Sequence, residues 1–97
     1  MPTFVTLINY TEQGIRSFKD SGQRLDAARQ LIESMGGRWL GFYLTMGPYD
    51  AVVVTEGPDD ETAAKVSLII GGQGNVRTTT MRAFAEDEAK RIASELP

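Results

Sequence analysis

The 97-residue sequence predicts an α+β fold: a ferredoxin-like β-α-β-β-α-β domain, the split β-α-β arrangement, followed by a C-terminal helix. Runs of β-branched and aromatic residues alternate with stretches whose apolar residues recur at helical spacing. Two strand-like runs meet directly at Gly47-Pro48, which predicts a hairpin in the middle of the chain. The length suits one domain, so we expect residues 1–97 to fold as a unit.

The chain before the hairpin is predicted to form a strand, a short helical turn and a longer helix. Thr3 to Asn9 is a β-branched and aromatic run, typical of a strand. Thr11 is a suitable cap for the short helical turn that follows. The longer helix is expected to begin after Asp20, which has capping-box spacing from Gln23. The glycine pair at 36–37 is expected to end it.

The hairpin is predicted to turn at Gly47-Pro48. Gly47 can take the positive φ that a two-residue type II′ turn requires, and Pro48 fits the second central position. This turn places Leu44 opposite Ala51. One face of the hairpin then carries Leu40, Phe42, Leu44, Ala51 and Val53. The other face, which is too apolar to lie comfortably in water, carries Trp39, Gly41, Tyr43, Thr45, Asp50, Val52, Val54 and Glu56.

The second half of the chain repeats the pattern of helix and strand. Asp59 is expected to cap a helix that ends at the glycine pair 71–72. Val76 to Phe84, a run rich in threonine, is predicted to be the fourth strand. Acidic residues from Glu86 open the final helix, where they face the positive end of the helix dipole.

The predicted topology leaves one face of the sheet without a helical layer. Right-handed crossovers place strands one and three in the middle, and we expect these two strands to run parallel. Both helices then cover the same face. The first strand is largely apolar on both of its sides, whereas a strand with one wet face alternates apolar and polar residues. A second copy of the chain is therefore the expected cover, and the expected partner is the protein itself, as a homodimer or a higher homo-oligomer.

The same topology sorts the polar residues into two ends of the sheet. The first end is expected to gather Thr3, Thr45, Tyr49, Asp50 and Arg82. The second end is expected to gather Asn9, Tyr10, Arg38, Trp39, Glu56 and Arg77.

Composition excludes several classes of function. The net charge of −3 disfavours nucleic acid and anionic membrane surfaces as partners. No apolar run is long enough to predict a membrane span, and no secretion signal is visible, so we expect a cytoplasmic protein. The absence of histidine and cysteine excludes Ser-His triads, disulfides, haem on a proximal histidine and the common zinc sites. We accordingly expect no metal site and no cofactor.

Three stretches together resemble a known family. They are T-F-V-T-L-I-N-Y-T-E-Q-G at the start, G-F-Y-L-T-M-G-P-Y-D-A-V-V-V-T-E-G-P-D-D-E-T-A across the hairpin, and N-V-R-T-T-T-M-R-A-F near the end. The chain resembles the GYD-domain family, small bacterial and archaeal proteins with a Gly-x-Tyr-Asp motif, here Gly47-Pro48-Tyr49-Asp50. The resemblance implies the fold and face-to-face sheet assembly of the dimeric α/β-barrel superfamily. The family is largely of unknown function, so the resemblance implies no reaction.

Four side chains are candidates for a ligand site, namely Trp39, Tyr43, Tyr49 and Asp50. Asp50 beside Tyr49 has the chemistry of a general base or a ligand anchor, but an aspartate next to a turn commonly bonds local backbone. We expect the structural role, with a backbone N–H in or near 45–52 as the partner. Trp39 and Tyr43 would line an apolar pocket or pack in a sheet-to-sheet interface. No residue is predicted to be catalytic.

The sequence is consistent with three kinds of function. We expect a small oligomeric protein that binds a small molecule or serves in assembly without catalysis. The alternative, which the resemblance to the dimeric α/β-barrel superfamily implies, is a cofactor-independent monooxygenase or isomerase acting on an aromatic or ketone substrate, with Tyr43, Tyr49 and Asp50 as its polar groups. A purely structural oligomer without a pocket is the third. A cavity lined by convergent polar groups would separate these alternatives.

Overall fold

The computed structural model describes residues 1–97 and contains every predicted element. In chain order these are β1 (Thr3–Tyr10), α1 (Glu12–Arg16), a 3-10 turn (Phe18–Asp20), α2 (Ser21–Ser34), β2 (Arg38–Leu44), β3 (Ala51–Glu56), α3 (Asp60–Gly72), β4 (Val76–Ala83) and α4 (Glu86–Ser94). The strands form one sheet of order β2-β3-β1-β4. The α+β, ferredoxin-like prediction is therefore confirmed.

The direction of one central strand differs from the prediction. β1 and β3 occupy the middle of the sheet as expected, but they pair antiparallel, as do all the other neighbours. The prediction that they run parallel is wrong. A crossover through α2 makes β1 parallel to β2, and the hairpin then reverses the chain, so β3 must run against β1.

This reversal regroups the polar residues at the two ends of the sheet. Thr3 pairs with Glu56, and Ile8 pairs with Ala51, so the start of β3 lies beside the finish of β1. The end at which β1 begins therefore carries Thr3, Arg38, Trp39, Glu56 and Arg82. The end at which β1 finishes carries Asn9, Tyr10, Thr45, Tyr49, Asp50 and Arg77. The predicted division into two ends was wrong because it followed the parallel assignment.

The hairpin has the predicted register but a longer loop. Leu44 pairs with Ala51, and Gly47 has a φ of +124°. The loop closes where the Thr45 N–H donates to the Asp50 carbonyl at 2.8 Å. The Thr45 hydroxyl also donates to the Tyr49 carbonyl at 2.6 Å. Residues 46–49 thus form the loop, because the threonine side chain satisfies a carbonyl inside the turn. The two-residue type II′ turn was a wrong prediction.

A β-bulge moves Trp39 to the face of the sheet that the helices cover. Trp39 pairs with Thr55, and Gly41 pairs with Val54, so Leu40 is the extra residue of the bulge. The Arg29 guanidinium of α2 lies 5.3 Å from the centre of the Trp39 ring. The prediction that Trp39 shares the uncovered face with Tyr43 is wrong, since one inserted residue inverts the alternation of side chains along a strand.

The helix caps follow the sequence at two of three predicted positions. The Gly14 N–H donates to the Thr11 hydroxyl at 3.1 Å, and the Thr62 N–H donates to the Asp59 carboxylate at 2.7 Å. Hydrogen bonds from Thr62 hold the pKa of Asp59 below its usual value; the bond from the Thr62 backbone has the largest effect, and the bond from its side chain adds to it. Asp20 makes no side-chain cap bond, contrary to the capping-box prediction. It already belongs to the 3-10 turn, so it lacks the extended backbone that aims a cap side chain at the helix.

Replacing Gly47 with valine is expected to lower the free energy of unfolding by about 1–3 kcal/mol. No atom crowds the site, so the cost comes from holding a β-branched residue at the positive φ. Met46→Val in the same loop is the control, and we expect it to change stability by less than about 0.5 kcal/mol. Chemical denaturation of both variants measures the difference. Equal midpoints would mean that the loop relaxes to a conformation in which φ at position 47 is negative.

Candidate functional site

A cavity of about 260 Å³ lies between the sheet and helices α2 and α3. The covered layer is thinly packed, because the buried apolar side chains are limited to Phe4, Ile32, Ala51 and Val53. The cavity wall is mainly apolar and aromatic. Its principal apolar side chains are Phe4, Ile8, Trp39, Phe42, Leu25, Leu31, Val66 and Ile70.

Short hydroxyl side chains line the cavity beneath α3. The Ser67 hydroxyl of α3 lies 3.2 Å from the Thr80 hydroxyl of β4. The Thr80 hydroxyl in turn lies 3.1 Å from the Thr6 hydroxyl of β1. We call these three residues the hydroxyl cluster. Both contacts are exposed to solvent, so the cluster is the polar feature at the outer part of the cavity wall.

A second hollow adjoins the hydroxyl cluster at the edge strand β4. Its wall shares Phe4, Ser67 and Thr80 with the cavity and adds Arg82 and Asp60. The Arg82 guanidinium lies 6.0 Å from the centre of the Phe4 ring. The hydroxyl cluster therefore lies where the cavity meets the edge of the sheet, and Asp60 and Arg82 line the hollow outside it.

Asp50 joins the hairpin loop to β1. Its carboxylate accepts the Tyr10 N–H at 2.9 Å, and its own N–H donates to the Ile8 carbonyl at 2.8 Å. The prediction that Asp50 bonds a backbone N–H agrees with this contact. The prediction that the N–H lies in or near residues 45–52 is wrong, because the donor is Tyr10. The Asp50 carbonyl is occupied by Thr45, so the side chain takes the place of a strand carbonyl opposite Tyr10.

Replacing Asp50 with alanine is expected to lower the free energy of unfolding by about 1.5–3 kcal/mol, because the half-buried Tyr10 N–H loses a charged acceptor. Asp50→Asn keeps an acceptor oxygen and is expected to cost at most about 1 kcal/mol. Urea denaturation of the two variants tests the ranking. An equal loss in both would assign the effect to charge rather than to the position of the oxygen.

Tyr10 connects this junction to the cavity. It lines the cavity wall and packs edge-on against Phe18, with ring centres 5.5 Å apart. Burial raises the pKa of the Tyr10 phenol, Arg24 opposes that rise, and Asp50 adds to it. The Tyr10 phenol is therefore neutral at physiological pH.

The four candidate side chains do not converge on one pocket. Trp39 lines the cavity, and Tyr43 is 63% exposed on the opposite face of the sheet. Tyr49 lies in the hairpin loop and Asp50 at its junction with β1, and neither belongs to the cavity wall. The hydroxyl cluster was not predicted from the sequence. The sequence feature that could have indicated it is the threonine run of β4, in which Thr78 and Thr80 face the helices while Thr79 faces away.

The uncovered face of the sheet, which we call the open face, is apolar at its centre. Strand pairing sets two neighbouring rows side by side. They are Gly41, Val54, Val5 and Met81, and then Tyr43, Val52, Leu7 and Thr79. No charged residue lies in either row. Arg38 and Glu56 pair at 3.1 Å at one end of the face, and Arg77 lies at the other. The apolar surplus predicted for this face is therefore present.

None of the helices combines the length and the apolar character that a passage through a bilayer requires. The C-terminal helix α4 is instead amphipathic, and its apolar residue Ile92 is exposed, as is Leu96 two residues after the helix ends.

Comparisons with known proteins agree on the family. The GYD domain model matches residues 4–93. A protein of Thermus thermophilus described as "Glutamine synthetase and cystathionine beta-lyase binding protein" is 34% identical over 85 residues, covering 87% of this chain and 90% of the relative. The crystal structure of TTHA0845, also from Thermus thermophilus, superposes with a TM-score of 0.55 at 28% identity, covering 88% of this chain and 95% of that one. The chain belongs to the GYD-domain family.

Proposed function

We propose that the protein is a non-catalytic binding protein that works as a homodimer and recognises other proteins. The observation that carries this proposal is the open face: a four-stranded sheet surface with an apolar, uncharged centre and charges confined to its ends. Such a distribution is typical of an interface, where charged residues are depleted from the core and kept at the rim.

The second copy is the occupant that this pattern favours. In a two-fold dimer the same patch meets itself, so the apolar rows of one copy pack against those of the other. No like charges then meet at the centre of the interface, because both rows are uncharged. β1 supplies Val5 and Leu7 to the open face while Phe4 and Ile8 face the helices, so burial of both sides of the central strand requires a second layer.

The proposal of protein partners rests on the relative from Thermus thermophilus, whose name describes the binding of two enzymes. We infer that this chain binds enzymes of the same kind. The cofactor-independent enzyme alternative receives less support, because the Asp50 carboxylate is bonded to the Tyr10 N–H and lies outside the cavity wall. A general base must be able to reach the proton that it removes.

Isothermal titration tests the choice of partner. The purified protein is titrated into glutamine synthetase and, separately, cystathionine β-lyase from the organism that encodes this chain. Binding to at least one, with a Kd below about 10 μM, is the expected result. Absence of binding to both at protein concentrations of about 100 μM would contradict the proposed partners.

A further inference from the structure

We propose that the cavity beneath α3 binds a small uncharged ring compound bearing one hydroxyl or carbonyl oxygen, and that the hydroxyl cluster holds that oxygen. This site is separate from the open face, and it does not depend on the proposed protein partners. The argument rests on the hydrogen-bond capacity of the cluster, the charges around the cavity and its size.

The hydroxyl cluster has hydrogen-bonding capacity to spare. Three hydroxyl groups supply three O–H donors, and the two contacts Ser67–Thr80 and Thr80–Thr6 use two of them. One donor remains for a guest, and several oxygen lone pairs remain as acceptors. A carbonyl oxygen can take the donor, and a hydroxyl group can use either function. The cluster is exposed to water, so a purely apolar guest that displaced this water would leave the capacity unused, which is unfavourable.

The two charged side chains of the cavity wall, Arg24 and Glu56, already have hydrogen-bond partners. Arg24 donates to the Ser17 carbonyl at 3.0 Å and to the Gly14 carbonyl at 3.3 Å. Glu56 pairs with Arg38 on the edge strand β2. A charged guest would lose its hydration in a mainly apolar cavity, and an anion could bind Arg24 only in competition with the carbonyls that Arg24 already contacts. An uncharged guest is therefore favoured.

The volume and the wall of the cavity set the size and type of guest. A dry cavity of about 150 Å³ is known to bind benzene. In proportion, about 260 Å³ suits a molecule of about ten non-hydrogen atoms, such as two fused rings. Phe4, Trp39 and Phe42 supply aromatic surface for stacking against such rings. The hollow at the edge of β4 shares Phe4, Ser67 and Thr80 with the cavity, so it offers an entry route that ends at the hydroxyl cluster.

The test uses 2-naphthol as the probe, titrated into the full-length ¹⁵N-labelled protein and followed by two-dimensional NMR. Saturable shifts are expected at the amides of Thr6, Ser67 and Thr80 and at the indole N–H of Trp39, with a Kd of about 0.1–1 mM. The chemical shifts of the Tyr43 and Val52 amides on the open face are expected to stay unchanged. The ionised analogue 2-naphthoate is expected to bind at least about 10-fold more weakly at pH 7.

Three variants locate the site. Thr80→Val removes the central hydroxyl with little change of volume and is expected to weaken 2-naphthol binding about 3–10-fold. Thr79→Val, on the same strand but on the open face, is the matched control and is expected to leave the Kd unchanged. Ser67→Leu fills the cavity and is expected to abolish binding while the spectrum stays dispersed.

Three results would overturn the proposal. The first is no saturable shift up to the solubility limit of 2-naphthol. The second is a set of shifts confined to the open face. The third is equal binding by Thr80→Val and the parent, or by 2-naphthoate and 2-naphthol.

Discussion

Replacing Gly14 with alanine is expected to lower the free energy of unfolding by about 3 kcal/mol. A Cβ at this position would lie 2.0 Å from the Asn75 carbonyl oxygen, a backbone atom that no side-chain rotation can move. The two segments cannot separate cheaply. The Thr11 N–H donates to the same oxygen at 3.0 Å, and the Thr11 hydroxyl donates to the Gly74 carbonyl at 2.6 Å. Gly14 thus permits α1 to pack directly against the turn that leads into β4.

Gly22→Ala is the matched control for that substitution. No atom lies within 4 Å of a Cβ built at Gly22, and the residue is in the first turn of α2. We expect stability to rise by up to about 1 kcal/mol, because alanine loses less backbone entropy than glycine in a helix. Guanidinium denaturation of both variants measures the two effects. A Gly14→Ala midpoint equal to that of the parent would contradict the close packing of α1 against residues 74–75.

Replacing Val52 with aspartate is expected to raise the dimer dissociation constant at least about 1,000-fold. Val52 lies between Leu7 and Tyr43 in the central rows of the open face. In the proposed dimer its carboxylate would be buried among apolar side chains without a partner, at a cost of several kcal/mol. The monomer is expected to stay folded, since the side chain faces away from α2 and α3.

Leu68→Asp is the control for the charge itself. Leu68 is on the outer side of α3 and is 76% exposed, so the same carboxylate enters water there. We expect this variant to dimerise like the parent. Analytical ultracentrifugation over a concentration series gives both dissociation constants. A Val52→Asp variant that dimerises as tightly as Leu68→Asp would exclude the open face from the interface.

Hydrophobic periodicity was enough to predict the architecture of the chain. The alternation of strand and helix patterns gave all the main elements, and local cap chemistry placed Thr11 and Asp59 at helix starts. The apolar surplus on both sides of β1 predicted the open face. These features depend on residues that are close in sequence, so local sequence patterns are enough to predict them.

The parts of the site that were not predicted from the sequence depend on contacts between distant residues or on irregular backbone geometry. Trp39 lies on the face opposite to the predicted one because the bulge at Leu40 adds one residue to the strand. The two-residue alternation of side chains along a strand does not reveal such an insertion. Asp50 found its partner at Tyr10, forty residues away, whereas turn chemistry favours local partners. The hydroxyl cluster joins three separate elements, so only the pairing of β1 with β4 and the packing of α3 bring it together.

The native mass in solution tests the open face most directly. Light scattering on the purified chain at micromolar concentration is expected to give at least twice the chain mass of 10.6 kDa, as two sheets packed face to face require. A mass of one chain at that concentration would contradict the proposed dimer and leave the apolar centre of the open face in water.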